Sequence, residues 1–108
     1  MTELFHVFDP FPIEPQVPQN SILSRTLLDT PVMKLVLFHF AAGQALSEHT
    51  ASMPAIIQIL SGEAELTLGE ESRQVNAGAF IYMTAHLKHA VNAKTPLVML
   101  LQLLKAEH

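Results

Sequence analysis

Between residues 33 and 104 the apolar side chains come in short runs, each stopped by a glycine or a cluster of turn formers. Met33 to Ala41 ends at Ala42-Gly43, and Ala55 to Leu60 ends at Ser61-Gly62. Glu63 to Leu68 alternates strictly, with Glu63, Glu65 and Thr67 on one side and Ala64, Leu66 and Leu68 on the other. That is the two-residue period of a half-buried strand. Gly69-Glu70-Glu71-Ser72 reads as a hairpin turn, and Arg73 to Val75 leads into a further turn at Asn76-Ala77-Gly78. Phe80 to Met83, His89 to Ala93 and Leu97 to Leu104 complete the series. No segment between residues 31 and 100 carries a helical repeat. Short strands at regular intervals with turns between them imply an all-β sandwich or barrel.

Pro96 opens the last run, which is apolar on both faces, so a strand is expected there rather than a terminal helix. Ala55–Leu60 and Leu97–Leu101 both look buried on two faces. A barrel wall covers only one, and a homodimer is the economical cover for the other.

Residues 1–20 read as an arm, and residues 21–108 as one barrel domain. Pro10, Pro12, Pro15 and Pro18 deny this stretch a place in a sheet centre or helix interior. Phe5, Val7, Phe8, Phe11, Ile13 and Val17 are too apolar for a solvated tail. An extended arm packed on the barrel or on a partner reconciles the two.

Composition removes several function classes. The chain has 108 residues, 49% of them hydrophobic and 15% charged, enough for one real core and against disorder. It has no cysteine, which excludes disulfides, thiolate metal sites and cysteine nucleophiles. Six Lys and Arg are scattered singly in a chain of net charge −4, so nucleic-acid binding is not expected. The N-terminus has neither a basic region nor a long apolar stretch, and a cytoplasmic location is expected. Leu97–Leu101 is far short of the roughly 20 apolar residues that span a bilayer, so no membrane association is expected.

Gly43, His49, Gly62, Gly78 and His89 stand in a register that resembles the two signatures of the cupin superfamily. In the first signature, Gly43-Gln44-Ala45-Leu46-Ser47-Glu48-His49 matches the opening and Ile59 to Leu66 the close. In the second, Gly78 and His89 are correctly separated, while Thr84 takes a proline position, His86 a glycine position and Ala93 an asparagine position. The resemblance covers about residues 33–103. It implies an RmlC-like jelly-roll β-barrel (a double-stranded β-helix), usually dimeric. Metal-binding members take two His and one Glu from the first signature and one His from the second. Here Ala51 stands at the second His position and Ala55 at the Glu position.

What remains is a candidate site at His49 and His89. Neutral imidazoles suit a divalent transition metal such as Zn, Ni, Fe or Mn. Stable sites offer three or four ligands, so Gln58, Tyr82 or His86 would have to turn inward. If Ala55 faces inward, so do Ile57 and Ile59, and Gln58 faces out. Phe38, Phe40, Ile57 and Tyr82 are expected to line the pocket. Phe38, Phe40, Ile57, Ile59, Leu66, Phe80 and Val91 are expected in the core. His39 should point outward, Glu48 away from its neighbour His49, and His6 and His108 carry no signal. The first functional expectation is a small dimeric binding module for a small organic ligand, with at most a weakly held metal at His49 and His89. The rivals are a metal-dependent dioxygenase or isomerase and a non-catalytic structural or regulatory dimer.

Overall fold

The computed structural model describes residues 4–13 and 17–105. Pro15 of the arm and His108 lie outside the described residues. The described residues form nine strands and no helix: β1 (Ile22–Asp29), β2 (Met33–Phe40), β3 (Ala45–His49), β4 (Ala55–Ser61), β5 (Glu63–Leu68), β6 (Glu71–Asn76), β7 (Phe80–Met83), β8 (His89–Ala93) and β9 (Leu97–Leu104). Accordingly no helix among them is long and apolar enough to cross a membrane. One sheet has the order β1-β2-β9-β4-β7 and the other β3-β8-β5-β6, with every pairing antiparallel. The two sheets face each other as a jelly roll, and the core lies between them.

Strand parity sends side chains to that core. In β4, Ala55, Ile57 and Ile59 are buried, while Ile56 and Gln58 lie on the outer face. In β5, Ala64 and Leu66 are fully buried and Glu63 is exposed, as the alternation requires. Phe40, Leu97 and Met99 fill the centre from β2 and β9. Each such side chain contributes about 1.5–3 kcal/mol by leaving water.

A second apolar cluster lies on the outer face of the five-stranded sheet. Leu35, Leu37, Val98 and Leu100 are buried there beneath Phe8 and Phe11 of the arm and Leu27 and Leu28 of β1. The two phenylalanine rings stack at 5.5 Å. A bulge between Thr26 and Leu28 interrupts the β1–β2 register, and both adjacent leucines reach this cluster. The chain's own arm therefore covers part of the outward face of β9. Leu97 to Leu100 are buried on both faces for that reason, whereas the outward residues of β4 are half-buried.

Two strands, β1 and β3, are not among those expected from the apolar pattern. Phe80 also departs from its expected place. It is 60% exposed, because Ile81 and Met83 take the inward positions of β7 and leave Phe80 outside.

Candidate functional site

His49 and His89 meet because β3 is irregular. From Leu46 to His49 the strand uses three residues where β8 uses two, from Val91 to His89. Without that bulge, His49 would fall on the opposite face from Leu46. With it, His49 pairs directly with His89, and both rings share a wall with Leu46 and Val91. Glu48 is exposed.

The ring centroids are 4.2 Å apart, in an edge-to-face contact. His89 is 7% exposed, whereas His49 faces solvent at the barrel mouth. His49 Nδ1 lies 2.7 Å from the Ser47 carbonyl oxygen, and His89 Nδ1 lies 3.0 Å from that of Leu87. A carbonyl oxygen can only accept, so each Nδ1 carries the proton and donates. In the neutral rings, Nε2 is then the lone-pair nitrogen on both.

The space beside the rings is small. Phe38, Leu46, Ile57, Val91, Met99 and Leu101 enclose, with the two histidines, a void of about 30 Å³. That is room for one or two water molecules (about 10–15 Å³ is needed for each) and not for the body of an organic ligand. Among the described residues, no Asp, Glu, Lys or Arg side chain lines it.

The other site candidates are dispersed. Phe38 and Ile57 do line the void. Phe40 does not; it is buried nearer the other end of the barrel. Tyr82 is 57% exposed on the outer face, for the same parity reason as Phe80. Gln58 also faces outward and accepts a hydrogen bond from Gln102 Nε2 at 2.6 Å. His86 is exposed in the loop before β8, with φ of 71° and its amide donating to the Ala51 carbonyl oxygen at 2.7 Å. The left-handed backbone there accounts for the glycine at this point of the family signature. His39 points outward as expected.

The donors present do not fit a tightly held metal. Among the described residues, no three His, Cys, Asp or Glu side chains are grouped to hold an ion. Ala51 and Ala55 offer no ligand atom. Two imidazoles sharing one tetrahedral ion would also stand about 5 Å apart between centroids, from metal–nitrogen bonds of about 2.0–2.1 Å, which is wider than the observed contact.

The cupin domain family matches residues 36–102. A conserved protein of unknown function from Streptococcus pyogenes superposes with a TM-score of 0.82 at 30% identity, covering 100% of this chain and 93% of that one. A cupin superfamily protein from Desulfitobacterium hafniense DCB-2 follows with a TM-score of 0.81 at 27% identity, over 85% of this chain and 84% of that one. A salicylate 1,2-dioxygenase from Pseudaminobacter salicylatoxidans shares the fold alone, with a TM-score of 0.74 at 10% identity over 83% of this chain and 28% of its own. No curated protein matches. The register of glycines and histidines, the two facing antiparallel sheets and the family match agree: the chain belongs to the cupin family.

Proposed function

We propose that this cupin is a binding module for a small organic molecule, whose polar head sits on His49 and His89 at the barrel mouth. The observation that supports the reading is the hydrogen-bonding pattern the two rings share. Both Nδ1–H groups are committed to backbone carbonyl oxygens two residues earlier, at Ser47 in β3 and at Leu87 just before β8, and both Nε2 lone pairs are left for a ligand. Such a pair accepts hydrogen bonds, so it suits a hydroxyl or amine head. The void of about 30 Å³ takes that head, and the rest of the molecule stays outside against exposed His49. The incomplete donor set favours this reading over a metal-dependent dioxygenase or isomerase.

The test is ¹⁵N NMR of the imidazole nitrogens during titration with propane-1,2-diol and ethanolamine, beside elemental analysis of untagged, dialysed protein. The expected result is saturable movement of the two Nε2 signals, lost in His49→Ala, with substoichiometric metal. Stoichiometric Zn, Ni, Fe or Mn retained through dialysis would overturn the reading, as would unmoved Nε2 signals.

A second reading, a non-catalytic homodimer with a filled barrel, draws on the nearly closed interior and the exposed Phe80 and Tyr82 on one sheet face. Light scattering across a dilution series tests it. A monomer at all concentrations would end it.

A further inference from the structure

We propose that a second copy of this chain completes the outer face of the five-stranded sheet: residues 4–7 of each arm lie across β4 and β7 of the other copy, on Phe80 and Tyr82. The proposal rests on the homodimer of the second reading above and assigns its contact.

Two apolar surfaces of the chain stand in solvent. One is the leading part of the arm. Phe8 and Phe11 are seated on the cluster of Leu35, Leu37, Val98 and Leu100, but Leu4, Phe5 and Val7 ahead of them are 93%, 76% and 72% exposed. The other is the half of the sheet face beyond that cluster. Strand register sets Tyr82 beside Ile56 and Phe80 beside Gln58, on the outward side of β7 and β4. Leu100 of the covered cluster is paired with Gln58, so the bare half continues the face on which Phe8 and Phe11 already pack.

The two surfaces match in chemistry and in size. Residues 4–7 are Leu4, Phe5, His6 and Val7, with no carboxylate, Lys or Arg. The outward positions Ile56, Gln58, Phe80 and Tyr82 carry none either. Gln102 Nε2 donates to Gln58 at 2.6 Å, and an apolar cover leaves that bond intact. Four extended residues span roughly 13 Å, and the step from β9 across β4 to β7 is roughly 10 Å at about 4.8 Å per strand. Phe5, Phe80 and Tyr82, at about 200 Å² apiece and each more than half exposed, offer every chain over roughly 300 Å² of aromatic surface to cover. Leu4 and Val7 add to it, toward the roughly 800 Å² per partner of a stable interface.

The exposure of Leu4 and Phe5 shows that the segment is not seated on its own sheet. A two-fold axis satisfies both surfaces at once: each arm covers the other copy's sheet, and the contact closes at two chains.

The experiment mixes ¹³C-labelled and unlabelled full-length chain and records isotope-filtered NOEs, which pass only between copies. Cross-peaks from Leu4, Phe5 and Val7 to Phe80 and Tyr82 are expected. Phe5→Asp, at an exposed position, should raise the dimer dissociation constant at least about tenfold by light scattering, because each dimer loses two buried rings. Its thermal midpoint at monomeric dilution should match that of the unmodified chain. A monomer at every concentration would overturn the dimer and this contact together. A dimer whose filtered NOEs arise from other surfaces would overturn this contact alone. So would a dimer that Phe5→Asp does not weaken, or Phe5–Tyr82 cross-peaks that appear only within one chain. The NOE measurement uses the unmodified protein and stands whether or not the variant folds.

Discussion

Gly62 lies so close beneath Pro96 that a β-carbon on it would overlap the Pro96 carbonyl oxygen. Its φ of 93° adds a second demand for glycine. Gly62→Ala is therefore expected to lower stability by about 3 kcal/mol, combining left-handed backbone strain with displaced backbone. Gly43 has φ of 82°, but a β-carbon placed on it would meet nothing within 4 Å, so Gly43→Ala should cost only about 1–2 kcal/mol. Urea denaturation of both variants measures the gap. Equal losses would mean that the close approach to Pro96 carries no energetic weight.

His86 holds a left-handed backbone without being glycine. Its side chain is exposed, and the link to Ala51 runs through the His86 amide, which glycine keeps. His86→Gly should raise stability by about 1 kcal/mol. A loss of stability would assign the imidazole a structural contact.

Acid should act on the surface pair of Asp29 and Lys105. The hydrogen bond from Lys105, at 2.5 Å, is the main reason the Asp29 carboxyl titrates below its ordinary value of 3.8. A lowered folded value means that the stabilisation is present above pH 3.8 and is lost as pH falls through the folded value. Asp29→Asn should lower the thermal midpoint slightly at pH 7, since exposed pairs are weak. The two melting curves should converge in strong acid. A difference that persists there would point to packing instead of charge.

Restoring the two missing donors should create a metal site. Ala55 is 2% exposed and faces inward, so Ala55→Glu alone buries an unpaired carboxylate and should destabilise the barrel. The double variant Ala51→His, Ala55→Glu has three or four donors to share with an ion. Added Ni²⁺ or Zn²⁺ should raise its thermal midpoint and leave the unmodified protein unchanged. A double variant indifferent to metal would show that these positions do not converge on His49 and His89.

Much of this architecture can be read from residue order. β5 announces itself because its outward face is polar, with Glu63 and Glu65 opposite Ala64 and Leu66. β7 hides its orientation because Phe80, Ile81, Tyr82 and Met83 are apolar or aromatic on both faces, and parity alone cannot choose between them. β1 escapes notice since Ser24, Arg25 and Thr26 lie exposed on an edge strand, with a bulge just beyond. β3 is only five residues long, and its bulge depends on the register of β8. The glycine spacing therefore identifies His49 and His89, but not how they meet. Their contact and the small void beside them follow from side chains contributed by β2, β3, β4, β8 and β9.

The small void between the sheets also bears on how the protein should respond to compression. Unfolding under hydrostatic pressure is driven largely by the elimination of internal empty volume. The void of about 30 Å³ beside the histidines adds little to that volume. The histidine pair should therefore contribute little to the pressure sensitivity of the barrel, and Phe8 and Phe11 of the arm, whose contacts lie on the outer sheet face, should detach before the sheets separate.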